Sequence, residues 1–365
     1  MDKKRNITNS LLLTASCLLF TFTACQKDDS LFEEPTPGGQ AGEVSFLFNI
    51  AGEPESRSAV DGTGNTQHVQ YVQLYVFQGT GDNATCVASE NIGWAEHFGS
   101  NLPTGGAQMK YKVKYRNFTI GNPYTFLAVG LDDQSGTTYG LPAAITSSGS
   151  SPTTLGNANA ILASGANWTA ISQSELFAGY ATLTPTMYGL NNGQIDMYRR
   201  VAGITGWFNN VPATADGKTV AGIRVSLYTQ QNKSVPLIKR QQKPLFQDYI
   251  TSPATANADS KVLFTIPAPG NTGTTVSKGI YVLPTPAPPA VNSNDYTVLI
   301  ELVATDGSTV SSKRVKLTPG DVLDSSTGSG TGIIDSEADY RFPIIANHFY
   351  SIGTSGSPIN LEGNP

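Results

Sequence analysis

Among the residues able to carry chemistry, the three histidines, His68, His97 and His348, stand far apart. No His-x-x-x-His pair or double cysteine accompanies them to hold zinc. Carboxylates occur together at Asp132-Asp133 and at Asp335 with Glu337, but neither set has the ligand spacing of a calcium loop, so both read as solvated turns. The glycine-rich Thr327-Gly328-Ser329-Gly330-Thr331-Gly332 lacks the Lys-Ser or Lys-Thr of a phosphate-binding loop. No Gly-x-Ser-x-Gly elbow is present. The sequence therefore predicts no enzyme, no metal site and no cofactor.

Two residues are instead expected to be substrates for the chemistry of others. Lys3, Lys4 and Arg5 precede an apolar run from Leu11 to Phe22, and Thr23 and Ala24 lead directly into Cys25. This is the pattern of a signal peptide over residues 1–24 with a lipobox, which predicts acylation of the Cys25 thiol. The apolar run is shorter than the roughly 20 residues that a membrane span needs. The alternative is an ordinary signal peptide with Cys25 merely near the cut. Cys17 fits less well, because much of the apolar run would remain downstream of it. The second residue is Arg57, set in the small and polar loop Glu55-Ser56-Arg57-Ser58-Ala59. Exposed loops of this kind are where proteolysis concentrates, so an enzyme specific for arginine could cut there.

The elements that position these residues follow from periodicity. Glu33 to Gln40, with two prolines and two adjacent glycines, reads as a linker. Glu43 to Ile50 alternates, placing Val44, Phe46, Phe48 and Ile50 on one face of a strand. Burial of four such side chains is worth at most about 6–12 kcal/mol, comparable with the whole stability of a domain. If the strand can be removed after the cut, it leaves an apolar groove bordered by unpaired backbone groups, a template for strand addition. The alternative is a permanent edge strand beside a solvated Arg57.

Charged residues make up only 14% of the 365-residue chain, while 37 glycines and 22 prolines punctuate short runs rich in Val, Thr, Tyr and Phe. This predicts an all-β protein of two tandem β-sandwich domains, of transthyretin-like or Greek-key type. A net charge of −5 without a basic cluster excludes nucleic acid as a partner. After signal removal only Cys25 and Cys86 remain, so no disulfide framework supports the fold.

Strands are expected at Val69–Phe77, Tyr111–Ile120 and Tyr124–Gly130, the latter two joined by the turn Gly121-Asn122-Pro123. Thr146 to Ala166 reads as a loop holding at most one short helix. A second set follows at Ile195–Ile204, Ile223–Tyr228, Val262–Ile266, Tyr296–Val303 and Val310–Leu317, the last two flanking an Asp306-Gly307 hairpin signal. The domain division is placed after Gly189-Leu190-Asn191-Asn192-Gly193, giving a propeptide over 25–57 and domains over 58–194 and 195–365. Trp94, Trp168 and Trp207 could stack on sugars or fill cores. Val282 to Pro289 is expected to be an extended, polyproline-like connection.

Four segments in order resemble a known family. They are Tyr124-Thr125-Phe126-Leu127-Ala128-Val129-Gly130, Ser174-Glu175-Leu176-Phe177-Ala178-Gly179, Tyr198-Arg199-Arg200-Val201-Ala202-Gly203-Ile204 and Ala346-Asn347-His348-Phe349-Tyr350-Ser351-Ile352. Behind a lipobox and an arginine site, this combination resembles the fimbrillins, the pilin lipoproteins of Bacteroidales fimbriae. Gln26-Lys27-Asp28-Asp29 is similar to the export tag of surface lipoproteins in that group. The resemblance implies an outer-membrane lipoprotein precursor, cleavage between Arg57 and Ser58 by an arginine-specific protease of the gingipain type, and assembly into an extracellular fimbrium with other subunits by donor-strand exchange. It also implies adhesion to a host or bacterial surface receptor that the sequence does not name. Stalk subunits continue past the Asn-His-x-Tyr strand with a donor extension. Here Gly353, Gly356 and Pro358 interrupt the residues after Tyr350, which points to a tip or accessory subunit. The competing expectation is a monomeric, glycan-binding surface lipoprotein.

Overall fold

The computed structural model describes residues 43–50, 69–93, 108–131, 137–162, 174–187, 191–227, 231–232, 234–238, 256–257, 262–270, 273–284, 298–315, 344, 346–347 and 349–362. Among them the protein is all-β, as expected, with only short 3-10 turns besides strands and loops. The first eight strands are β1 (Val44–Ile50), β2 (Tyr71–Gln78), β3 (Thr85–Gly93), β4 (Gln108–Lys112), β5 (Tyr124–Leu131), β6 (Asn159–Ile161), β7 (Leu176–Leu183) and β8 (Asn191–Arg199). Seven of these, all but β6, form one continuous path in the order β3-β2-β5-β7-β8-β1-β4.

That path folds back on itself at β8. Its early residues pair with β1, whereas Tyr198 and Arg199 pair with Ala178 and Phe177 of β7. A strand that changes sheets makes the corner of a sandwich. The core between the layers joins Phe46, Phe48, Ile195 and Met197 from one side to Val72, Leu74, Val76 and Phe126 from the other. β5 is buried along its whole length because both of its faces are covered. Tyr124, Phe126 and Ala128 face this core, while Leu127, Val129 and Leu131 face a second one.

The remaining strands are β9 (Ala202–Asn209), β10 (Thr214–Ala215), β11 (Lys218–Leu227), β12 (Gln231–Asn232), β13 (Ser234–Pro236), β14 (Ala256–Asn257), β15 (Val262–Pro267), β16 (Val276–Val282), β17 (Val298–Ala304), β18 (Thr309–Val315), β19 (Phe349–Ile352) and β20 (Ile359–Asn360). One sheet runs β10-β11-β17-β18 with β15 on β11; another runs β16-β9-β19 with β20 also on β9. Ile204, Phe208 and Ile280 of the second share a core with Ile223, Val225, Ile300 and Leu302 of the first. The Asp306-Gly307 turn closes the β17–β18 hairpin as its sequence predicts, with Gly307 at φ 80°.

Several expected elements are redrawn. The run Ile195–Ile204 is two strands, because the chain changes sheets at Arg200 and Val201: the Arg200 N–H donates to Leu176 O, and the Asn347 N–H donates to Val201 O. Asn191 to Gly193, in the segment after which the domain division is expected, opens β8. The strand expected over Tyr111–Ile120 ends at Lys112 and pairs with β1, in the layer opposite β5. Beyond it, the rings of Tyr115, Phe118 and Tyr124 stack edge to face and close the sandwich end. The stretch expected to be a loop from Thr146 contains β6, which pairs antiparallel with β13, with Ala158, Ala160 and Leu162 buried.

Candidate functional site

β1 lies inside its sheet. It runs parallel to β8, from Val44 opposite Asn191 to Ile50 opposite Met197, and antiparallel to β4, from Ser45 opposite Lys112 to Asn49 opposite Gln108. Both edges of its backbone are therefore paired, and the Val113 N–H adds a bond to Val44 O at 2.9 Å. Val44, Phe46, Phe48 and Ile50 are each 3% exposed or less, so the predicted inward face is the buried one. The Phe46 ring packs 4.6 Å from that of Phe126 in the facing sheet, and Phe48 lies 6.0 Å from Tyr111. On the outward face Asn49 Nδ2 donates to Asp196 Oδ1 at 3.0 Å, and Lys112 pairs with Glu43 at the exposed end.

Gly193 of β8 stands opposite Phe46. A Cβ there would lie 2.4 Å from Cε1 and 2.8 Å from Cδ1 of the ring, which occupies the space of the missing side chain. The far wall of the slot is β4, whose strand partner is β1. It is also tied to the opposite layer by Glu90 of β3. The Tyr111 hydroxyl donates to Glu90 Oε2 at 2.8 Å, the Lys114 N–H to the same oxygen at 3.0 Å, and the Tyr115 N–H to Oε1 at 2.8 Å. Burial and the bond to Glu90 push the Tyr111 hydroxyl well above its usual range, so it stays a donor.

A second cluster sits where β8 passes into β9. Arg199 is 1% exposed, and its guanidinium donates to Glu175 Oε1 through Nε at 2.8 Å and Nη2 at 2.7 Å; Glu175 has no exposed surface. Nη1 reaches Asn347 Oδ1 at 3.4 Å, and the guanidinium carbon lies 4.9 Å from the Phe177 ring and 5.1 Å from that of Phe349. Asn347 adopts φ 64°, a left-handed conformation that asparagine tolerates. The neighbouring Arg200 donates to Pro236 O through Nε at 3.0 Å and Nη2 at 2.8 Å. Three of the four family-like segments, far apart in sequence, thus converge on one buried ion pair.

The sequence model of the fimbrillin-A associated anchor proteins Mfa1 and Mfa2 matches residues 39–311. The chain belongs to that family. The tip fimbrial protein Mfa3 from Porphyromonas gingivalis, solved with a C-terminal truncation, is similar at 12% identity and a TM-score of 0.33, over 85% of this chain and 93% of that one. A fimbrial assembly protein from Parabacteroides distasonis aligns at 11% identity and a TM-score of 0.36, over 87% and 93%. No curated protein matches in a sequence search. Membership makes the chain a structural, adhesin-like fimbrial subunit that associates with other subunits in a surface appendage, and not an enzyme.

In this fimbrillin-family chain the expected inward residues of β1 are described, and other expected site residues are not. Cys25, Arg57 and Ser58 lie outside the described residues, as do the three histidines, Trp94, Trp168, Asp132, Asp133, Asp335 and Glu337. Trp207 is half-buried on β9. Among the described residues no group of three or more His, Cys, Asp or Glu could hold a metal. Cys86 is a buried free thiol, and burial pushes it up to about 11, which makes it a poor nucleophile. Gly193, Glu90 and the partnership of Arg199 with Glu175 were not read from the sequence. A glycine within an otherwise alternating strand is the one local signal that could have marked the notch.

Proposed function

We propose that the protein is a tip or accessory fimbrillin that joins its neighbours by donor-strand exchange. It is exported as a precursor acylated at Cys25, held at the outer membrane, and cut between Arg57 and Ser58 by an arginine-specific protease. β1 then leaves, and a strand of a neighbouring subunit takes its place in an extracellular fimbrium.

The observation that carries this reading is the position of β1. It is the first described strand in the chain, yet it lies between β8 and β4. One cut in the segment between Ile50 and Tyr71 would leave it bound by non-covalent forces alone, whereas an inner strand from mid-chain would need two cuts. Loss of β1 would uncover the core facing Phe126 and leave two rows of backbone groups unpaired, which drives refilling by another strand. Support for an accepting rather than donating role comes from β19 and β20, which both pair with β9, while Leu361 is fully buried. Those residues are engaged in their own sheet. In this reading the chain comprises two sandwich domains, 58–194 and 195–365, divided within the stretch where β8 closes the first sheet.

Mass spectrometry of assembled surface material tests the proposal. A mature amino terminus at Ser58 is expected; acylated Cys25 with β1 retained throughout assembled material overturns it.

A further inference from the structure

We propose that the slot selects the register of its incoming strand through the notch at Gly193, and that the strand it accepts carries an aromatic ring at the position Phe46 now holds. The inference rests on the strand-exchange reading and names the chemistry of the partner: a β-strand from another chain, with apolar residues at alternate positions and an aromatic at the second of them.

Alternation alone cannot set this register. A slip of one residue would turn the apolar face to solvent, but a slip of two restores it, so period-two patterning leaves several registers open. The inward positions of β8 opposite β1 are Asn191, Gly193, Ile195 and Met197, facing Val44, Phe46, Phe48 and Ile50. Ile195 and Met197 are fully buried, and the Asn191 side chain is engaged with Thr186, whose N–H donates to its Oδ1 at 2.9 Å. Gly193 is the inward position that has no side chain, and the Phe46 ring lies where a Cβ would stand. Shifted by two residues toward the start of β1, the ring would meet Asn191 and its bonds. Shifted the other way, Val44 would stand opposite Gly193 and no ring would fill the notch. In the observed register it fits between β8 and Phe126, 4.6 Å from that ring.

The test uses the full chain cut at Arg57 by an arginine-specific protease and then challenged with fluorescent peptides spanning Glu43–Ile50. One peptide has the natural sequence; the other carries Val44→Phe with Phe46→Val, which keeps composition and alternation but moves the ring by two residues. The natural peptide is expected to displace β1, and the rearranged one to enter about tenfold or more weakly. Equal uptake of both peptides overturns the notch while leaving strand exchange intact. Failure of both peptides to enter overturns the exchange reading and the inference together. A cycle in the uncut chain separates these: Gly193→Ala and Phe46→Ala are each expected to lower the melting temperature, with the double variant losing clearly less than the sum. Strict additivity overturns the notch regardless of exchange.

Discussion

The slot around β1 and the junction around Arg199 hold the molecule together by opposite means. In the slot, cohesion comes from backbone bonds along both edges and from apolar side chains facing Phe126, interactions that many sequences can make. At the junction, it comes from one buried guanidinium, one buried carboxylate, an asparagine and two aromatic rings, drawn from segments about 25 and 150 residues apart. A buried ion pair tolerates the loss of neither partner. The contrast places backbone and apolar contacts around β1 and side-chain-specific chemistry where the chain passes between sheets.

The largest effect that would sharpen this comparison is removal of β1. A chain beginning at Ser58 loses at most about 6–12 kcal/mol of apolar burial. Calorimetry should show the transition of the first sandwich abolished and then restored by added Glu43–Ile50 peptide; an unchanged melt would break the contrast. Next comes the junction. Glu175→Ala is expected to cost about 3–5 kcal/mol in urea denaturation, since it leaves the Arg199 charge buried without its carboxylate. The pair Glu175→Leu with Arg199→Met should cost much less, and a single substitution under about 1 kcal/mol would make the junction as forgiving as the slot.

A smaller effect concerns the slot's outer wall. Glu90→Ala removes the acceptor of three hydrogen bonds, with an expected cost of about 1–3 kcal/mol. Hydrogen exchange should accelerate at the β4 amides more than in β5. Uniform acceleration would mean that Glu90 supports the sandwich as a whole. The smallest effect belongs to Glu301 of β17, which accepts two hydrogen bonds from Arg224 at 2.8 and 3.0 Å. The bonds from Arg224 lower the pKa of its carboxyl below the ordinary 4.5, so its contribution is full above that pH and fades as pH falls through the depressed folded value. Partial exposure limits it to about 1 kcal/mol. The melting-temperature gap between the wild type and Glu301→Gln should be constant near neutrality and close in strong acid. A gap that persists there would assign the effect to packing.

Several elements were legible because their signals are local. The alternation from Val44 to Ile50 identified both the strand and its buried face, and Asp306-Gly307 located a hairpin. The strand over Tyr111–Ile120 was overextended because its aromatic residues look strand-like, yet Tyr115 and Phe118 cap the sandwich end. β6 was missed because a strand of three residues, Asn159-Ala160-Ile161, is too short to carry a periodic signal. Tyr198 to Ile204 was read as unbroken because nothing near Arg200 marks the change of sheet; the Leu176 and Asn347 backbone that makes it lies far away in sequence.

By itself the sequence determined the all-β class, the inward residues of β1, the hairpin turn and the family-like segments, since each depends on spacing over a few residues. Only the tertiary structure decided that β1 lies between β8 and β4, that Phe46 rests over Gly193, and that Arg199 meets Glu175. The physical reason is range. A strand's faces follow from its own period of two, but its neighbours are chosen by contacts such as Asn49 to Asp196, 147 residues apart, which no local pattern encodes.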